Sequence, residues 1–88
     1  TPVYNFGVPA ALKAWIDLVV RMGRTVHYVD GRPVGLVEDV PATVFVAAGG
    51  TSIGSKRDFA TPWLETALQY IGISDIEFRP ATDSATPE

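Results

Sequence analysis

Cysteine is absent from the 88 residues, which removes disulfides, thiolate zinc sites and a catalytic thiol together and suits a reducing, cytoplasmic setting. Histidine occurs once, as His27, with no second histidine or carboxylate cluster at metal-ligand spacing. Beside the Asp30 turn it reads as a solvated side chain, so no metal site is expected. Ser52 and Ser55 lie outside any nucleophile-elbow context, and Asp17, Glu38 and Asp39 read as surface carboxylates. Concentrated positive charge is lacking too. Seven Lys and Arg stand against ten Asp and Glu for a net charge of -3, and they are dispersed from Lys13 to Arg79, which argues against nucleic acid as a partner. The densest apolar run, Val44 to Ala48, falls far short of the ~20 residues of a membrane-spanning helix. Neither a G-x-G-x-x-G fingerprint nor a Walker A sequence is present.

What is there is 47% hydrophobic residues in a 9.4 kDa chain. A compact domain of this mass keeps roughly 5,000 Å² exposed out of about 13,600 Å² unfolded, a thin core. The first periodic element follows Gly7. Pro9 suits the first turn, and Leu12, Trp15, Ile16, Val19 and Val20 draw one apolar stripe on a helix running to about Met22, with Gly23 as its stop. Lys13, Asp17 and Arg21, four apart, predict two exposed ion pairs. Thr25 to Val29 and Arg32 to Leu36 flank Asp30-Gly31, a strong two-residue hairpin signal, and Pro33 confines the return strand to an edge. Ala42 to Ala48 is apolar on consecutive residues, as in a strand covered on both faces. A polar loop, Thr51 to Asp58, precedes a second helix with Thr61 as N-cap, Pro62 in its first turn and Gly72 at its end. Leu64, Ala67, Leu68 and Ile71 form its core stripe, whereas Trp63 and Tyr70 project together on a flank that another surface must cover. A last strand is expected over Ile73 to Phe78. The order is that of an α/β domain with parallel strands, but two such strands do not complete a doubly covered sheet.

Two segments could bear chemistry. Pro2 to Ala10 sets an aromatic pair around Asn5 between prolines, able to offer backbone N–H groups, an amide edge and ring surface to a planar polar ligand, although the residues alone favour a tight turn whose aromatics cap the core and whose Asn5 satisfies its own backbone. Gly49-Gly50, after the apolar strand, allows a ligand close to the backbone at the carboxyl end of a parallel sheet, or simply a flexible exit. No acid-base constellation accompanies them, which favours chemistry carried by a cofactor.

The run Pro2-Val3-Tyr4-Asn5-Phe6-Gly7-Val8-Pro9-Ala10-Ala11-Leu12-Lys13-Ala14-Trp15-Ile16-Asp17 resembles the segment after the third strand of FMN-dependent NADH azoreductases, flavodoxin-like quinone reductases also called acyl-carrier-protein phosphodiesterases. Thr25 to Tyr28 with Gly31 to Leu36, Ala47 to Gly50, and Pro62 to Asp75 are similar to the family's hairpin, second flavin loop, and fourth helix with the approach to strand five. The resemblance implies the carboxyl-terminal part of a flavodoxin-like doubly wound parallel sheet over residues 1–78, with a small β-hairpin excursion; 79–88, rich in Pro, Thr, Ser and Asp and without periodicity, is expected to be a mobile tail. It implies that Val3, Tyr4, Asn5 and Phe6 line the flavin ring of FMN, that Gly49 and Gly50 approach the ring's polar edge, and that Tyr28 and Tyr70 close a substrate pocket across a homodimer interface. The activity implied is ping-pong hydride transfer from NADH or NADPH through FMN to a quinone or azo compound. Val3 replaces the family's usual Met, and Ala47-Ala48 its frequent Ser-Arg. The family's first three strands, phosphate-binding loop and last helix have no counterpart here, so a fragment is expected, and little or no FMN binding if the chain is complete. The contrasting expectation is a non-catalytic remnant that serves as a dimerisation or interaction module.

Overall fold

A computed structural model describes residues 1–81. In chain order it contains helix α1 (Ala10–Val19), strands β1 (Val26–Val29), β2 (Arg32–Gly35) and β3 (Ala42–Val46), helix α2 (Ala60–Ile71) and strand β4 (Ile76–Pro80). β3 and β4 pair in parallel from Ala42↔Ile76 to Val46↔Pro80. The Thr1–Val3 segment joins them on the far side of β3: Val3 donates to the Ala47 carbonyl at 3.0 Å, and Ala47 N–H donates to the Thr1 carbonyl at 2.8 Å, a parallel bridge centred on Pro2. Strand ends and the loops that follow them therefore gather at one carboxyl edge.

The core forms where the helical stripes meet one face of this sheet. Ile16 of α1 packs with Leu64, Leu68 and Ile71 of α2, and Val44, Ile76 and Phe78 close against them from the sheet. Trp15, expected in the stripe, is half exposed, because Ile16 already faces the core at that level. The other sheet face has no cover among the described residues: Thr43, Glu77 and Arg79 point into solvent, and Phe45 is 54% exposed. Double cover for the apolar run is thus not met among the described residues.

Element boundaries depart from the pattern where side chains intervene. α1 stops at Val19, before Met22, because the Thr25 hydroxyl takes the Val19 carbonyl at 2.7 Å and accepts the Arg21 N–H at 2.8 Å. Gly23 then falls in the following turn, and Arg21 lies past the helix. Of the two expected ion pairs only Lys13–Asp17 forms among the described residues, at 2.7 Å. The Asp30-Gly31 turn holds both residues at positive φ, 52° and 76°, the twist that suits a two-residue hairpin. Pro33 lies opposite Tyr28 in a ribbon of two strands, as an edge position allows.

α2 begins one residue before Thr61 and ends at Gly72, whose φ of 116° lets its N–H bond the Gln69 carbonyl while Ile73 N–H reaches back to Leu68. That pair of bonds is a Schellman closure. Here the hairpin crosses the helix end with backbones touching: a methyl group added at Gly35 would lie 2.2 Å from the Gly72 nitrogen, and Val37 N–H donates to the Ile71 carbonyl at 2.9 Å. β4 begins at Ile76, later than the expected Ile73. Ile73 closes the helix, and Ser74 is held by Asp39, which accepts its N–H at 2.9 Å and its hydroxyl at 2.6 Å. Asp39 is therefore more than a surface charge, and these bonds lower its pKa. β4 runs on through Arg79 and Pro80; of the segment 79–88 expected to be a tail, residues 82–88 lie outside the described residues.

Candidate functional site

Tyr4 to Gly7 form a tight turn at the carboxyl edge. Tyr4 and Gly7 exchange both backbone hydrogen bonds at 3.0 Å, and the two central residues, Asn5 and Phe6, sit at φ 50° and 67°. Asparagine tolerates this left-handed region, but an aromatic residue there is uncommon and needs outside support. The support comes from Phe59, whose N–H donates to the Phe6 carbonyl at 3.0 Å. Both turn aromatics are exposed, Tyr4 at 61% and Phe6 at 46%, so they do not cap the core. The backbone N–H groups of Asn5 and Phe6 have no hydrogen-bond partner among the described residues.

Next to this turn, β3 delivers Ala47, Ala48, Gly49 and Gly50 to the same edge, since Val3 and Ala47 are hydrogen bonded. Gly49 and Gly50 line an open cavity of about 530 Å³, floored by Val46, Phe78 and Pro80 and walled by Thr51 to Ile53. That volume lies within the ~300–1,000 Å³ of ordinary small-molecule pockets. A methyl group at either glycine would meet nothing within 4 Å, so the space above their backbone is open to a ligand. The Tyr4–Gly7 turn stands across the end of β3 from this cavity and does not line it. Of the residues singled out from sequence, Val3, Tyr4, Asn5 and Phe6 thus flank one side of the β3 terminus, and Gly49 and Gly50 form the rim on the other.

Tyr28 and Tyr70 lie elsewhere. Their hydroxyls are hydrogen bonded at 2.8 Å and their rings meet edge to face, with centroids 6.4 Å apart. The bond to Tyr28 raises the Tyr70 pKa above its ordinary 10.0, with desolvation and the neighbouring phenol's charge adding to it. Phe59 and Tyr70 are near opposite ends of α2. At 1.5 Å per residue the tyrosine pair is about 15 Å along the axis from the start of the helix, where the Phe6 turn is anchored. Trp63 and Tyr70 share a flank, as their spacing predicts, and border a shallow groove of about 260 Å³ with Ile16, Val20 and the Lys13–Asp17 pair.

Asp58 escapes the motif reading. It is buried, 5% exposed, and its carboxylate accepts Gly54 N–H at 2.9 Å, Ala60 N–H at 3.0 Å, Thr61 N–H at 2.9 Å and the Thr61 hydroxyl. Burial opposes its charge, but the Thr61 hydroxyl and the three N–H groups outweigh that and lower its pKa. Thr61, expected as the N-cap, is inside the helix and donates to the capping residue instead. The signal was available, since Asp is as good a cap as Thr; the Thr61-Pro62 pair obscured it. His27 is exposed on β1, and no group of three or more His, Cys, Asp or Glu among the described residues could hold a metal ion. No helix among the described residues is long and apolar enough to cross a membrane.

A family model described as flavodoxin-like fold matches residues 1–88. An FMN-dependent NADH:quinone oxidoreductase of Thiobacillus denitrificans is 54% identical over 77 residues, which cover 88% of this chain and 38% of that protein. A protein of the same description from Erythrobacter litoralis is 44% identical over 87 residues, 99% of this chain and 44% of that one. Among solved structures, an FMN-dependent NADH-azoreductase from Bacillus anthracis in complex with FMN superposes with a TM-score of 0.82 at 25% identity, over 99% of this chain and 43% of that chain. The chain spans about two fifths of the length of the curated relatives it matches.

Proposed function

The chain belongs to this family of flavodoxin-like fold, and from that premise we propose that it supplies the ring-binding part of an FMN-dependent NAD(P)H oxidoreductase that reduces quinones or azo compounds in the cytoplasm. One observation carries the reading: the Tyr4–Gly7 turn and the Gly49-Gly50 rim flank the carboxyl end of β3 from its two sides, at the edge of a parallel sheet where α/β folds bind ligands. FMN, when bound, would supply the redox chemistry that links NAD(P)H to the quinone or azo acceptor. The chain's own part is to hold and orient. The free N–H groups of Asn5 and Phe6 and the Asn5 amide suit the carbonyl and nitrogen edge of a flavin ring, Val3 and the exposed turn aromatics offer apolar surface, and the glycine pair admits the ring without a side-chain clash. The donor set is neutral and fits a ring, and no Lys or Arg side chain among the described residues lines the cavity to pair with a phosphate.

Tyr28 and Tyr70 enter the proposal through a second copy. Their distance along α2 from the turn keeps them out of the pocket of their own chain, while the Trp63–Tyr70 groove gives a homodimer a surface on which to present them to its partner's pocket.

Amide chemical shifts test the ring site directly. With FMN and riboflavin added in separate titrations, shifts at Asn5, Phe6, Gly49 and Gly50 are expected, with the two flavins binding within about threefold of one another because the phosphate is not gripped here. Shifts confined to other residues, or none with either flavin, reject the proposal. The competing reading, a non-catalytic interaction module, draws on Phe45 and on Leu18, Met22 and Trp15 of the α1 region, all about half exposed or more. Self-association without any flavin-dependent shift would favour it.

A further inference from the structure

We infer that Asp58 is a positioning residue for the proposed flavin site, its carboxylate fixing the segment from which both flanks of that site are held. The inference rests on the flavin reading for what the flanks grip, and only on hydrogen bonding for how they are held. One carboxylate oxygen, Oδ1, accepts from Ala60 and Thr61 and does the work of a helix cap. Capping does not require the second oxygen. Oδ2 accepts the N–H of Gly54 and the Thr61 hydroxyl, and so ties the end of the loop whose Thr51 to Ile53 wall the cavity.

The other flank is reached through Phe59, which lies between Asp58 and the two capped residues. Its side chain is 65% exposed, so what Phe59 contributes here is its backbone, and its N–H is the anchor of the Phe6 carbonyl. The mutual bonds of Tyr4 and Gly7 set the shape of the turn but not its position. Val3–Ala47 fixes one side, and Phe59–Phe6 fixes the other. Asp58 itself touches neither the turn nor the cavity's glycine rim; it acts on both through the segment it orders.

The two oxygens can be separated by substitution. Asp58→Asn keeps an acceptor for the cap but turns an NH2 group toward the Gly54 N–H, whereas Asp58→Ala removes both acceptors. Residue-resolved amide exchange on the full chain is expected to show Gly54 exchanging about tenfold faster in both variants. Tyr4 and Gly7 are expected to accelerate by a similar factor in Asp58→Ala only, with Leu68 and Ile71 unchanged in both. Acceleration spread evenly to Leu68 and Ile71, or undisturbed Tyr4 and Gly7 in Asp58→Ala, overturns the inference. Should Asp58→Ala fail to fold, an unaffected Gly54 in Asp58→Asn overturns it and a selective change there supports it. FMN titrations of the same variants are expected to show weaker binding than the parent. If the parent itself binds no flavin, the flavin reading fails while the exchange pattern still decides the role of Asp58.

Discussion

Asn5 and Phe6 hold a backbone conformation that costs an ordinary L-residue about 1–2 kcal/mol, so their roles as turn formers and as ligand contacts have to be separated. Asn5→Gly deletes the amide and leaves the left-handed conformation accessible; Asn5→Ala deletes the amide and adds strain that asparagine largely escapes. We expect Asn5→Gly to retain the parent's thermal midpoint while losing flavin affinity, and Asn5→Ala to lose both, melting lower by about 4–8 °C for each kcal/mol. Unchanged flavin affinity in Asn5→Gly would show that the amide is not a contact. At the tyrosine pair, removing the Tyr28 hydroxyl by Tyr28→Phe should bring Tyr70 ionisation back down toward 10 in an alkaline ultraviolet titration. The sign follows from the raised pKa: the neutral pair stabilises below the unfolded value of about 10, and that contribution fades as pH climbs through the raised folded value. Asp58 behaves oppositely. Its lowered pKa means its contribution is complete above the unfolded value of 3.8 and is lost as pH falls through the lower folded one, so Asp58→Asn should flatten the acid limb of a stability–pH curve. These residues differ in how plainly they show in the sequence. The shared flank of Trp63 and Tyr70 follows from helical projection alone, whereas the Tyr28–Tyr70 bond needs the hairpin's path, which no local pattern encodes.

The elements themselves are mostly readable. Asp30-Gly31 marks the hairpin and Gly72 the end of α2, because both depend on backbone conformations that few residues adopt. The end of α1 and the start of β4 are not, since Thr25 and Asp39 settle them by hydrogen bonds reaching across the chain, six residues back to Val19 and 35 residues on to Ser74. The crossing of β2 over the end of α2 gives the sharpest element-level prediction. Gly35→Ala drives a methyl group into the Gly72 backbone, which is not a flexible side chain and cannot swing away. Overpacking of this kind costs about 1–3 kcal/mol. We expect a matching fall in chemical-denaturation stability, with exchange at Val37 and Gly72 rising first; a neutral Gly35→Ala would mean that the hairpin can lift off the helix without loss.

At the scale of the whole molecule, a sheet with one covered face sets the surface chemistry. Phe45 is exposed on the open face, so Phe45→Thr should change stability by no more than about 0.5 kcal/mol. The same variant should reduce light scattering in concentrated samples, because it removes the largest apolar side chain from that face. A larger loss of stability would mean that Phe45 is packed in solution. The proposed site has a different dependence on the whole. The hairpin joins near neighbours, Val29 with Arg32, but the Phe6 turn is pinned by Ala47 on one side and by Phe59 on the other, partners that lie most of the described chain away. Closing loops of that length costs entropy that must be met before such contacts can form. The turn can take its shape from its own bonds but reaches its place only after β3 and the head of α2 are set, so the two flanks of the proposed site come together as one of the last acts of folding.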